Sequence, residues 1–516
     1  MPSPDEARNS ETELKFEVAP GALGKLRKHP ALAAPATTSR LRSVYYDTPD
    51  HDLRNAGVSL RVRESGGRFV QTVKTREGPG SIERGEWERD VDGARPEASA
   101  LAGTPAEAVL NGHGAGDLAE VFSTTVERAV RLWSDGSALV ELSLDEGRID
   151  AGGDREPIHE LELELKAGGA AALFVLARTL AGAAPIRLSF DSKAERGYRL
   201  AGHDTTAALK AEQAALSAGT CAADAFRRIA RSCLTQVAGN ARLLRRVRSP
   251  QALHQARVGL RRLRAAMSAF EPLVGDDRFA ALKGEAKWLA GELDQARDLD
   301  VFIHTAMPSD EEELQPDHAL AAFGKRLLAA QARAYDRAVA AIESQRFADL
   351  LLDVAAWVEV GAWTLDPDPG RTALRAAPIG AFGAEALDRL HAKVKKAGKR
   401  FAHLDAAGRH RLRIKAKKLR YAADFFGEAF PDHPGRRRKF GAGLKALQDQ
   451  LGALNDIAVA AELAIEVAGK RSGEAAFAAG VLIGARRREE PVLIASAGKA
   501  FAAFAESPHF WGRSRI

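Results

Sequence analysis

ELELELK at residues 160–166 and ETELKFE at residues 11–17 decide the fold of the first part of the chain. In the first, Glu160, Glu162, Glu164 and Lys166 alternate with Leu161, Leu163 and Leu165. In the second, Glu11, Glu13, Lys15 and Glu17 alternate with Thr12, Leu14 and Phe16. Successive side chains of a β-strand point to opposite faces, so each stretch predicts a strand with one charged and one apolar face. Arg61 and Arg63 in LRVR, and Lys74 in QTVK, repeat the pattern with positive charge. Between them run SVYYDT, SLRVRES, RFVQTVKT, GEWERDV, AVRLWSDG and SALVELSLDEG, punctuated by Gly and Asp turns. Helical stretches are expected near residues 99–111 and 169–182. One such strand would suit an open sheet with its charged face in water. Five or more, carrying both signs, predict closure into a barrel with a charged lumen and an apolar exterior covered by helices. Closure also removes unpaired edges.

From about residue 215 the period changes to 3.6 and the chain becomes rich in Ala, Leu and Arg. The segment 206–219 reads as a linker between a domain at 1–205 and a helical domain at 220–516. Loops are expected at Met307–Pro316 and Asp366–Arg371. The helical part repeats itself. HQARVGLRRLR, His254–Arg264, matches HRLRIKAKKLR, His410–Arg420; LDQARDLDV, Leu293–Val301, matches LGALNDIAV, Leu451–Val459. The offsets are 156 and 158 residues, which predicts an internal duplication and two similar helical bundles.

The 516 residues are enough for several domains. The net charge of +6 hides an asymmetry. Residues 1–200 carry 26 Lys and Arg against 32 Asp and Glu, leaving 49 against 37 in the remainder. A basic module attracts polyanions, and an acidic one with clustered carboxylates suits divalent cations. No apolar run is long enough for a membrane helix, so no membrane partner is expected. The start, MPSPDEARNSETE, lacks the basic and apolar regions of a secretory leader. Two cysteines, Cys221 and Cys233, read as reduced thiols of a cytoplasmic protein.

The charged lumen implies a chemistry. Rows of Arg and Lys neutralise phosphate oxygens. Clustered Glu would repel phosphate unless a divalent cation such as Mg²⁺ sat among them. Together they describe metal-assisted phosphoryl transfer to water. ETELK resembles the ExExK signature of the CYTH superfamily, the triphosphate tunnel metalloenzymes. RSVYYDT, LRVR, QTVK, RGEWE, SALVELSLDEG, ELELELK and SKAERGYRL follow in the family's order. The resemblance implies an eight-stranded antiparallel tunnel barrel in an α+β domain, with Mg²⁺ or Mn²⁺ as cofactor. It assigns metal to Glu11, Glu13, Glu160, Glu162 and Glu164, and catalytic roles to Glu11, Glu13, Lys15 and Lys193. Triphosphate falls to Lys15, Arg42, Arg61, Arg63, Lys74, Arg128, Lys193 and Arg196. Glu86, Glu88 and Asp145 read either as further metal-side carboxylates or as salt-bridge partners in the lumen.

At about 100° per residue, His254, Arg257, Arg261 and Arg264 fall within one stripe, as do His410, Arg413, Lys417 and Arg420. Arg262 and Lys418 lie on the other flank. A single basic face is ordinarily solvated; its duplication predicts a paired binding surface. The repeated H-x-x-R-[VI]-x-x-[RK]-[RK]-L-R resembles the CHAD domain, the conserved-histidine α-helical domain. That resemblance implies two pseudo-symmetric four-helix bundles, binding of inorganic polyphosphate by these ten residues, and targeting to polyphosphate granules. RDLDV fits its second motif; NDIAV departs from it at Asn455 and Ala458. Asp298, Asp300 and Asp456 read as residues that orient the cations or cap and pair helices.

The resulting expectation is a cytoplasmic inorganic triphosphatase with a polyphosphate-binding module. The alternatives are a granule protein that only binds polyphosphate, or an organic-triphosphate enzyme such as a thiamine triphosphatase or adenylate cyclase. The scarcity of aromatics in the stripes disfavours nucleic acid.

Overall fold

The computed structural model describes residues 10–76, 78–110, 117–202, 206–306, 318–469 and 473–512. The loop expected at Met307–Pro316 lies outside the described residues. The chain divides into two compact units. The first comprises the chain through Glu212 together with Leu234–Leu243 and Gln345–Gly361; the second holds the rest.

Among the described residues, nine strands build the first unit: β1 (Ser10–Val18), β2 (Thr37–Asp47), β3 (Val58–Ser65), β4 (Arg68–Thr75), β5 (Glu83–Val91), β6 (Ala119–Ser134), β7 (Leu139–Ala151), β8 (Asp154–Ala167) and β9 (Ile186–Ser189). They pair in the order β5-β4-β3-β2-β6-β7-β8-β1, and β1 returns to β5 through Ser10, Glu11 and Thr12. The eight strands therefore close into an antiparallel barrel. β9 pairs with the far half of β1, from Lys15 to Val18.

Closure sorts the two faces. Leu14, Phe16, Leu142, Leu144, Leu161 and Leu163 are buried on the outside of the wall. Around β2–β5, Val44, Tyr46, Leu60, Val62 and Val73 pack with Leu53, Ala106 and Leu110 from the short connecting segments. Each fully buried aliphatic side chain contributes about 1.5–3 kcal/mol, so the apolar face, not the charged one, holds the wall together. The charged rows turn inward, where Lys74 of β4 reaches Glu11 of β1 across the intervening strand.

The helices of nine or more residues are α1 (Ala171–Ala183), α2 (Lys193–Ala201), α3 (Ala222–Arg246), α4 (Pro250–Ala269), α5 (Phe279–Ala306), α6 (His318–Glu343), α7 (Gln345–Val360), α8 (Ile379–Gly398), α9 (Ala406–Phe426), α10 (Pro434–Ala468), α11 (Gly473–Arg487) and α12 (Glu490–Ala505). α2 plugs one end of the barrel. Its Tyr198 and Leu200 pack on the inward Tyr45, Phe122, Val126, Ile149 and Ile158. Gly197 is required there, because a Cβ would come within 2.1 Å of the Phe122 ring.

The second unit is helical. α8, α9 and α10 start 157, 156 and 155 residues after α3, α4 and α5, from 379 − 222, 406 − 250 and 434 − 279. The two copies are thus two similar helical bundles, with α4 against α9 and α5 against α10. α6 packs on α5 in the first copy, and α11 and α12 pack on α10 in the second. The stretch expected as a loop at Asp366–Arg371 already contains a helix start, where Asp368 caps Pro369–Ala376 by accepting from the Arg371 N–H.

Candidate active site and a duplicated basic site

The register sets the lumen. Glu13 on β1 stands opposite Glu164 on β8, which stands opposite Glu141 on β7. Glu17, Glu160, Asp145 and Arg128 form a second cross-strand row, and Tyr45, Arg61, Thr72 and Glu88 a third. Lys74 Nζ donates to Glu11 Oε2 at 2.7 Å and lies 3.0 Å from Glu86. Lys15 lies 2.7 Å from Glu13, which also pairs with Arg84. Arg61 reaches Glu86 and Glu88 only at 3.7 and 3.9 Å.

Asp145, Glu160 and Glu162 converge closely enough to share one cation. Lys193 sits among them, its Nζ 2.8, 2.5 and 2.9 Å from the three carboxylates. Its position follows from a capping box: Ser192 Oγ accepts from the Glu195 N–H at 3.1 Å, and Glu195 accepts from the Ser192 N–H at 2.7 Å. Lys193 is therefore the first helical residue, aimed at the trio. Arg128 forks onto Asp145 at 2.8 and 2.6 Å and reaches Glu162 at 2.6 Å. Arg196 bonds Glu156 at 2.8 Å and pairs with Glu160. Burial opposes the charge of Glu162, but Lys193, Arg128 and Lys15 hold it well below the usual carboxylate range. Burial likewise opposes the Lys193 charge, and Asp145, Glu160 and Glu162 raise it in net.

Two features stand out from this matched network. Burial pushes Glu164 up, Glu11 and Glu141 add to the rise, and Lys166 only partly offsets it. Glu164 is flanked by Glu13 and Glu141 on the two neighbouring strands, and like charges directly opposite repel. Among the described residues, the carboxylates whose oxygens lie close enough together to share a metal ion are Asp145, Glu160 and Glu162, and such an all-oxygen donor set fits a hard divalent cation. The second feature is Arg63. Burial lowers it to about 10, with Arg61 and Arg128 adding like-charge repulsion. Its hydrogen bond is a long one, from Nε to Ser43 Oγ at 3.4 Å. Tyr45 beside it is pulled below its usual value by Arg61, Arg63 and Lys193, although its burial works the other way.

Of the residues expected to meet phosphate, Lys15, Arg61, Arg63, Lys74, Arg128, Lys193 and Arg196 share this lumen. Arg42 does not. It is exposed on β2, on the face of Val44 and Tyr46, because the alternation that turns Ser43 and Tyr45 inward turns it out. Glu86, Glu88 and Asp145 are ion-pair partners of lumen cations. Glu141 and Arg84 are lumen residues that sequence reading passed over. Arg84 shares the parity of Glu86 and Glu88, so alternation alone would have found it.

In the helical unit nine of the ten stripe residues separate into three groups, and His410 stands apart from them. His254, Arg257, Arg261, Arg413 and Lys417 converge, with Arg297 and Asp298 from α5 and Asp456 from α10. Burial and the neighbouring cations Arg297, Arg261, Arg257 and Lys417 lower His254 to about 4. Burial, Arg413 and Arg261 bring Lys417 down to about 7. Arg264 and Lys418 form a second group with Lys283 and Lys393. Arg262 and Arg420 form a third beside Asp424; Arg262 is buried over the Phe425 ring. The Nε atoms of Arg257 and Arg413, and of Arg264 and Arg420, are buried without a hydrogen-bond partner at equivalent positions of the two copies. The histidines differ: His254 is half-buried, whereas His410 is exposed and bonds Asn455 at 2.8 Å. Asp300 accepts from Gln331 and Tyr335 at 2.8 and 2.9 Å. Among the described residues, no helix is long and apolar enough to cross a membrane.

Residues 9–198 match the CYTH domain family and residues 228–464 the CHAD domain family. Over 167 residues the chain is 33% identical to the inorganic triphosphatase of Haemophilus influenzae, a match covering 31% of this chain and 46% of that protein. The chain thus spans about half the length of that relative. An uncharacterized protein of Mycobacterium tuberculosis is 26% identical over 525 residues, 93% of each chain. The crystal structure of the CHAD domain from the plant Ricinus communis matches with a TM-score of 0.51 at 28% identity, covering 59% of this chain and 99% of that one.

Proposed function

Because residues 9–198 form a CYTH domain and residues 228–464 a CHAD domain, we propose that this chain is a metal-dependent inorganic triphosphatase whose helical domain binds polyphosphate. Water attacks a terminal phosphorus of triphosphate, and pyrophosphate leaves with inorganic phosphate. The observation that carries this reading is Arg63, buried among Arg61 and Arg128 in a lumen that also holds stacked carboxylates. Arg61, Arg63, Lys74 and Lys15 bind the phosphate oxygens. Glu11, Glu13, Glu160, Glu162 and Glu164 would hold Mg²⁺ or Mn²⁺, which when bound neutralises phosphate charge and lowers the pKa of the attacking water. Lys193, which pairs with Asp145, Glu160 and Glu162, and Arg196, which pairs with Glu156 and Glu160, complete the phosphate-binding set. The functional division falls at the 206–219 segment. The convergent group around Arg257, Arg261, Arg413 and Lys417 takes polyphosphate, which would place the protein at polyphosphate granules in the cytoplasm.

The test is a phosphate-release panel on the full chain with triphosphate, pyrophosphate, long polyphosphate, ATP and thiamine triphosphate. Each substrate is run with Mg²⁺, with Mn²⁺ and with excess chelator. Triphosphate should be cleaved fastest and only with metal. Undiminished release in chelator would remove the metal from the reading, and preference for an organic triphosphate would replace the substrate.

A further inference from the structure

Arg242 lies outside the stretch that matches the CYTH family and inside the stretch that matches the CHAD family, yet Leu234–Leu243 of α3 belongs structurally to the barrel unit. The segment is built into that unit. Asn240 accepts from the Leu209 N–H at 3.0 Å and donates to the Leu209 carbonyl at 2.9 Å. Gly239 lets Leu209 approach where a Cβ would meet it at 2.7 Å. Three residues along, the Arg242 guanidinium is surrounded by carboxylates. Its Nε lies 2.6 Å from Glu17, Nη2 donates to Glu156 at 2.5 Å, and Nη1 donates to Asp191 at 2.9 Å.

Each of those carboxylates leads to the lumen or its plug. Glu17 stands opposite Glu160 on the β1–β8 ladder. Glu156 is shared with Arg196, whose other end pairs with Glu160. Glu160 in turn holds Lys193 at 2.5 Å. Asp191 also accepts from Arg199 of the plug helix at 2.7 Å. Arg242 therefore closes a chain of buried charge running from α3 through Glu156 and Arg196 to the carboxylate trio.

We infer that Arg242 is a positioning residue of the triphosphate site. It satisfies Glu156, so that Arg196 is divided between Glu156 and Glu160 instead of being drawn wholly to the former. Without it, Arg196 swings toward Glu156, Glu160 loses a cation, and Lys193 is held more tightly in the trio and less free to meet phosphate. This rests on the proposed triphosphatase reading.

The experiment uses the full chain and four proteins: wild type, Arg242→Met, Arg242→Lys, and Arg242→Met combined with Glu156→Gln. Steady-state hydrolysis of triphosphate is measured, together with calorimetric binding of triphosphate after chelator treatment. Arg242→Met is expected to lose about tenfold or more in kcat/KM, since charged hydrogen bonds of this kind are each worth roughly one to two decades. Its triphosphate affinity should fall alongside. Arg242→Lys should recover part of the loss. The double variant should recover most of it, because the neutral amide that replaces the Glu156 carboxylate no longer competes for Arg196. A merely structural role would make the double variant as poor as the single or worse, and that result would overturn the inference. So would single-variant kinetics and binding within twofold of wild type. If Arg242→Met does not fold, the double variant alone decides, and it must approach wild type. If the wild type cleaves no triphosphate, the proposed activity falls while the binding comparison still decides the role of Arg242.

Discussion

Arg63 is a buried lumen cation whose neighbouring charges include two like ones, only partly offset by Tyr45 and Glu88. It sits beside Arg61 and Arg128, and burial brings it down to about 10. A residue kept in a destabilised state for a ligand trades stability for function. Arg63→Met should therefore move two measurements in opposite directions. Triphosphate affinity should fall roughly 10- to 100-fold, the loss of a charge-assisted contact. The melting temperature of the ligand-free protein should rise, because the repulsion is gone. A lower melting temperature together with unchanged affinity would make Arg63 an ordinary structural cation. Glu13 is the counterpart on the acidic side: it is 4% exposed, opposite Glu164, and paired with Lys15 and Arg84. Glu13→Gln should raise the Mg²⁺ concentration needed for half-maximal hydrolysis several-fold. An unchanged metal requirement would move the metal away from the Glu13–Glu164 pair.

At the scale of elements, the duplication brings two basic helices, α4 and α9, to one place. Lys417 of the second copy feels Arg261 of the first, and burial plus these neighbours bring it down to about 7. A bound polyanion favours the ammonium form, so binding above neutrality takes up a proton. Polyphosphate affinity should then fall as pH rises from about 7 to about 9, by up to about tenfold per unit for this one group. Stability has the opposite slope. The unfolded lysine keeps its proton to about 10.4 while the folded one has released it, so the ligand-free protein should gain stability over the same interval. Calorimetric titrations with polyphosphate in two buffers of different ionisation heat measure the proton uptake directly. Lys417→Met should abolish both slopes; slopes that persist in it would belong to other groups. Charge reversal at Arg257 with Arg261, and separately at Arg413 with Lys417, should each weaken polyphosphate binding. The combined variant should lose less free energy than the sum, since both pairs serve one ligand.

For the whole molecule, the barrel unit does not end where its family resemblance ends. It takes in Leu234–Leu243 and the α7 segment Gln345–Gly361. α7 buries Phe347, Leu350, Leu351 and Trp357, and its Asp353 pairs with Arg178 of α1. A fragment of residues 1–205 should accordingly melt roughly 10 °C or more below the full chain and bind a hydrophobic dye. Equal melting of the two would mean that these segments contribute nothing to the barrel. The strands, the inward charge and the duplicated stripes were all legible beforehand. Alternation and 3.6-residue spacing are local properties, written again in each element. Alternation read strictly would also have removed Arg42 and added Arg84. What it could not supply was partnership. Lys193 enters the Asp145–Glu160–Glu162 trio, Arg63 is left among cations, and Arg242 reaches Glu156 from 86 residues along the chain. The amino-acid sequence by itself determined which residues are strands, which faces carry charge, and that the basic helix occurs twice. Only the tertiary structure decided which charge meets which, because ion pairing depends on distances of a few ångströms set by barrel closure, strand register and the docking of helices remote in sequence.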